Sequence, residues 1–117
     1  MPNPVVHFEI VGSDGKKLQK FYANLFGWKV DADNEMNYGM VDTQTPGAGI
    51  PGGVGPTMDG KPRVTVYAQV PDPQATLDKA SQMGGKVLMP PTEIPGANVT
   101  LAMFADPDGN VIGLTKG

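Results

Sequence analysis

Hydrophobic and polar residues alternate along VVHFEIV, residues 5–11. Phe8 and Ile10 take one side, His7 and Glu9 the other. Period two with β-branched residues predicts a half-buried strand. The pattern then changes. In SDGKKLQKFYANLFGW, Leu18, Phe21, Tyr22 and Leu25 recur at i, i+3, i+4 and i+7, which places them on one helical face. Lys16, Lys17, Gln19, Lys20 and Asn24 take the other. Ser13 or Asp14 supplies a capping oxygen, and Gly27 ends the helix. Two short strands follow, in WKVDAD and MNYGMVDT. From Thr43 to Pro62 glycine and proline break every period; AGIPGGVG within this stretch reads as an irregular edge strand. These glycines precede neither Lys-Ser/Thr nor a helix, so they form neither a phosphate loop nor a dinucleotide fingerprint.

RVTVYAQV, residues 63–70, is the next strand. Val64, Val66, Ala68 and Val70 share one face, and Thr65, Tyr67 and Gln69 share the other. PDPQATLDKASQMGG is a second helix, capped by Asp72, opened by Pro73 and stopped by Gly84-Gly85. KVLMPPTEIP, NVTLAMFAD and VIGLTK are strands, the last entered through the turn DPDGN.

The order strand, helix, three strands occurs twice. His7 precedes Asp14 by seven residues and Thr65 precedes Asp72 by seven (14 − 7 and 72 − 65), while LFGWKV and QMGGKV close the two helices. The reading is a single domain over residues 1–117, with one module over about 1–58 and a second over about 63–117. A sheet carrying one short helix leaves a face bare, so the modules must cooperate.

Composition narrows the classes of function. The chain has 117 residues, a formal net charge of −3 and no cysteine. Disulfides, thiolate metal sites and cysteine nucleophiles are excluded. Without a Lys/Arg cluster, nucleic acid is not expected as a partner. No apolar run approaches a membrane span, so no membrane association is expected. The N-terminus lacks the pattern of a signal peptide, and the expected location is cytoplasmic.

HFEIVGSDGKKLQKFYANLFGWKV, VYAQVPDPQATLDKASQMGGKVLMPPTEIPG and FADPDGNVIGL together resemble the vicinal oxygen chelate superfamily of glyoxalases, bleomycin resistance proteins and extradiol dioxygenases. The resemblance implies an α+β fold, two tandem βαβββ modules forming a curved mixed sheet around a cleft. It also implies one divalent metal, usually held by a His on each first strand and a Glu on each last strand, or by a three-ligand version of that set. His7, the only histidine, matches one ligand position; Thr65 stands at the second His position and Gly113 at a Glu position. Residues 43–58 contain no Asp, Glu, His or Cys for the fourth. No cofactor is therefore expected beyond a weak divalent site at His7, with Glu9 in support. A lone imidazole does not hold a divalent metal against water.

On this resemblance, His7, Glu9, Thr65, Tyr67, Gln69, Val111 and Gly113 face the cleft, and Trp28, Tyr38, Met40 and Met103 add apolar walls. The opposite face (Phe8, Ile10, Val66, Ala68, Val70, Ile112, Leu114) packs on the helices. Three functions stay open. One is metal-free binding of a small organic molecule. Another is an enzyme of lyase, isomerase or dioxygenase type with His7 as metal ligand or general base and Glu9 orienting it. The third is a non-catalytic dimerisation or interaction module. A homodimer is the expected assembly, because each module leaves sheet edges to cover.

Overall fold

The structure, a computed structural model, describes residues 2–57 and 59–117. The expected module limits at 1 and 58, and two of the seven methionines, Met1 and Met58, lie outside the described residues. The chain divides into two compact units, His7–Thr65 and Val66–Gly117, the latter including the N-terminal residues up to Val6. The fold is α+β, and strand, helix and three strands occur twice in chain order.

The first set is β1 (Val5–Gly12), α1 (Gly15–Phe26), β2 (Lys29–Asp31), β3 (Gly39–Asp42) and β4 (Gly52–Pro56). Its strands lie in the order β2-β3-β4-β1. β4 runs parallel to β1 and antiparallel to β3. The glycine-rich strand is thus internal, not the edge strand expected from its composition. Bare backbone at Gly52 and Gly53 admits the Phe8 and Tyr38 rings, which a Cβ at either position would overlap.

Helix α1 starts where Asp14 Oδ1 accepts from the Lys17 N–H at 3.1 Å. It ends at Gly27, whose φ of 71° suits a residue without Cβ. Its packing corrects the periodicity reading. Phe21 and Leu25, placed on the buried face by spacing, are 56% and 58% exposed, whereas Gln19 is 8% exposed. The Gln19 amide donates to the carbonyls of Asn37 and Val54, both at 2.8 Å. Those two bonds compensate the burial of an amide that lies against backbone rather than side chains. The apolar burial in this unit comes from Val11, Val41 and Val54.

The second set is β5 (Arg63–Val70), α2 (Pro73–Gln82), β6 (Lys86–Ile94), β7 (Val99–Ala105) and β8 (Val111–Lys116), with strand order β5-β8-β7-β6. Asp72 caps α2 by accepting from the Ala75 N–H, and Pro73 opens it. Val70, Leu77, Ala102 and Leu114 form the core of this set, with Ala68 and Phe104 against them. Full burial of a side chain such as Leu77 contributes about 1.5–3 kcal/mol. Val66, expected beneath the helix, is 36% exposed and Val64 is 70% exposed. The buried helix contacts are made by the later residues Ala68 and Val70 instead. The Asp106 carboxylate ties the last turn by accepting from the backbone N–H of Asp108 and Asn110, each at 2.9 Å.

Candidate functional site

Register places a row of residues across the first set of strands. Glu9 on β1 pairs with Gly53, Gly53 with Met40, and Met40 with Asp31. His7, two residues from Glu9, shares its face of β1. Tyr38, two residues from Met40, reaches over this row, and its hydroxyl end fills the space above Gly53. There the hydroxyl donates to Glu9 Oε2 at 2.9 Å and stands 3.0 Å from His7 Nε2. A phenol has one proton, and Tyr38 donates it to the carboxylate, so its oxygen accepts from His7 Nε2–H. With the phenol proton given to Glu9, the neutral tautomer that suits this bond is Nε2–H.

Burial pushes the His7 pKa below its ordinary 6.5, and the negative charge of Glu9 offsets only part of that. The charged form loses more by desolvation than it regains from the carboxylate. Neutral His7 is therefore the form that the fold favours at neutral pH.

The second set of strands repeats the row with different chemistry. Tyr67 pairs with Gly113, Gly113 with Met103, and Met103 with Met89. Tyr67 is 4% exposed and its ring covers Gly113, where an added Cβ would overlap it. Gly53 and Gly113 hold matching register positions, and at each a tyrosine fills the space above the bare backbone. Gly113 interrupts VIGLTK where the ring of Tyr67 takes the space a side chain would need.

The structure brings His7, Glu9 and Tyr38 together and puts Met40 in their row. It places Met103 and Tyr67 beside Gly113, with Val111 two residues along the same strand. Gln69 lies against Gly117. Thr65 is buried at 2% exposure. Trp28 lies 5.5 Å from Phe8, 5.6 Å from Tyr22 and 5.0 Å from Phe26 between ring centres. The sequence pattern does not reveal Tyr38 as the bridge. The Gly52-Gly53 doublet is its one signal in sequence, since paired glycines inside a strand mark a close approach.

His7 and Glu9 are the two donors that the resemblance would offer a divalent metal. Both are engaged by the Tyr38 hydroxyl, the matching positions 53 and 113 carry no donor, and Thr65 offers only a hydroxyl. Among the described residues no three His, Cys, Asp or Glu side chains gather as metal ligands. Two open cavities lie elsewhere. One of 360 Å³ runs along β2 and β3 past Lys29, Asp31, Met40, Asp42 and Gln44; one of 490 Å³ follows Glu93 to Thr100. Neither is lined by His7 or Glu9.

Residues 5–114 match the family model of the Glyoxalase/Bleomycin resistance protein/Dioxygenase superfamily, and the chain belongs to that superfamily. It is 31% identical over 109 residues to the "Putative glyoxylase CFP32" of Mycobacterium bovis and equally to that of Mycobacterium tuberculosis. These alignments cover 87% of this chain and 41% of the relatives, so the chain spans well under half of their length. Among solved structures, a superfamily member from Vibrio splendidus 12B01 has a TM-score of 0.68 at 14% identity, over 99% of this chain and 100% of that one. Methylmalonyl-CoA epimerase from Mycobacterium tuberculosis has a TM-score of 0.62 at 15% identity, over 96% and 86%. Such low identity establishes a shared fold and not a shared reaction.

Proposed function

We propose that this chain binds a small organic molecule through the His7–Tyr38–Glu9 group, without a divalent metal as the organising centre. One observation carries the reading: the Tyr38 hydroxyl, seated over Gly53, engages both side chains that a metal would need. A carboxylate, a phenol and a neutral imidazole on one face give donors and acceptors in fixed orientation, which is how a small-molecule site selects its ligand.

The test is metal and ligand titration of protein purified without a histidine tag. Zn, Ni, Mn and Fe(II) are titrated by calorimetry against wild type and His7→Ala. The expected result is no stoichiometric binding above the His7→Ala control. Stoichiometric binding lost in His7→Ala would overturn the reading and favour a metal enzyme.

A second reading keeps His7 as a general base. The observation in its favour is the lowered pKa, which keeps the His7 imidazole neutral at neutral pH. His7→Gln, which keeps hydrogen bonding and removes basicity, separates this reading from binding alone.

Self-association rests on a separate observation. Phe21, Leu25 and Phe26 on α1 are each more than half exposed, an apolar group of the kind that marks an interaction surface. The occupant we propose is a second copy of this chain. Relatives more than twice its length have room for a further domain of this size. Sedimentation of wild type against Phe21→Ser/Phe26→Ser tests this; equal mass for both would overturn it.

A further inference from the structure

The first half of β5 buries two side-chain polar atoms for which the described residues offer no hydrogen-bond partner. Thr65 is 2% exposed, and among the described residues its Oγ1 has no hydrogen-bond partner; the buried Nε of Arg63 has none either. Residues 63 and 65 alternate along the strand and share a face. Val64 between them is 70% exposed. Exposing a valine while burying a guanidinium nitrogen and a hydroxyl inverts the order that a purely structural strand would favour. Leaving a buried polar group unmatched costs about 1–3 kcal/mol. Two on one strand face ask for a partner that the described residues do not supply, a water or a ligand.

The chemistry of the pair defines what would satisfy it. Arg Nε–H only donates, and a threonine hydroxyl donates readily. The complement is an oxygen acceptor, and the guanidinium charge favours an anionic one. A single cation matches the single charge of a carboxylate better than a phosphate dianion. The nearby Asp59 does not fill this role. Its carboxylate accepts from the Lys61 N–H at 3.0 Å and the Thr57 hydroxyl at 2.9 Å, and these bonds, more than Arg63, hold its pKa low.

We propose that Arg63 and Thr65 bind the carboxylate of a small organic acid. The proposal rests on the small-molecule reading above and names the ligand class. Thr65 matches His7 in the internal repeat, 58 residues on (65 − 7). On this account the second-module position gives a hydrogen bond to the ligand's oxygen where an imidazole would bind a metal.

Arg63 is the only arginine, so its Nε–H gives one unambiguous side-chain signal in a ¹⁵N–¹H spectrum. The probes are sodium butyrate, neutral butyramide and inorganic phosphate, titrated into labelled full-length protein. The expected result is a saturable shift of the Arg63 Nε–H and Thr65 amide signals with butyrate and none with butyramide. Thr65→Val and Arg63→Met should weaken butyrate binding roughly tenfold or more, the worth of a charge-assisted hydrogen bond. Thr65→Ser, which keeps the hydroxyl, should retain it and guards against misfolding of the valine variant. Equal shifts with butyrate and butyramide, tighter binding of phosphate, or undiminished binding in Thr65→Val would each overturn the proposal. The His7 ring signals, read in the same titrations, separate the two readings. Movement at His7 without Arg63 overturns the carboxylate assignment alone; no saturable movement at either overturns both.

Discussion

The hydroxyl of Tyr38 occupies the space that a side chain on Gly53 would need, and from there it joins His7 to Glu9. A tyrosine just before β3 and a glycine on β4 thus act as one unit. The glycine makes room, and the tyrosine brings a polar atom that the strand itself lacks.

Tyr38→Phe removes that atom and keeps the ring. Two hydrogen bonds are lost, one to a carboxylate, so unfolding in urea should require about 1–3 kcal/mol less free energy than in wild type. Unchanged stability would mean that the bridge is immaterial in solution.

Stability should depend on pH through His7. Its folded pKa lies below the ordinary 6.5 because of burial, so between those two values the unfolded chain binds more protons than the folded one. Stability from this group is therefore present above pH 6.5 and is lost as pH falls through the folded pKa. Urea midpoints across this range should rise with pH in wild type and rise less in His7→Gln. Because His7 is the only histidine, its ring protons report the folded pKa directly by NMR.

Gly113→Ala should destabilise through overlap with the Tyr67 ring, by about 1–3 kcal/mol as in other overpacked sites. In a Tyr67→Ala background the same change should cost markedly less, because the two residues share one space. Additive costs in the double-mutant cycle would contradict this packing of ring on glycine.

Gln19→Leu should destabilise although leucine favours helices. The carbonyls of Val54 and Asn37 lose their donor, at about 1–3 kcal/mol for each that stays dry. Thermal unfolding of Gln19→Leu against an exposed control, Lys20→Leu, checks this. Equal midpoints would place Gln19 on the solvent face that helical spacing assigned to it.

The repeat of strand, helix and three strands could be read from the chain because its signals are local. Period two in VVHFEIV and RVTVYAQV, the caps Asp14 and Asp72, and Gly27 after the first helix each act within a few residues of their own position. His7 and Glu9 could be paired from sequence for the same reason, since alternation alone puts them on one face. The partners that lie across strands depended on register. Gly53 faces Glu9, and Gly113 faces Tyr67, only because β4 and β8 pair with β1 and β5 at those residues. The glycine doublet in β4 carries no hydrophobic pattern from which that register could be read. Tertiary packing also changed the helix α1 assignment at Gln19, Phe21 and Leu25. Spacing identifies a face but not what covers it, and the covering surface at Gln19 is a pair of backbone carbonyls. Local sequence thus determined the elements and half of the candidate site. Strand pairing, set by contacts distant along the chain, decided which tyrosine completes it.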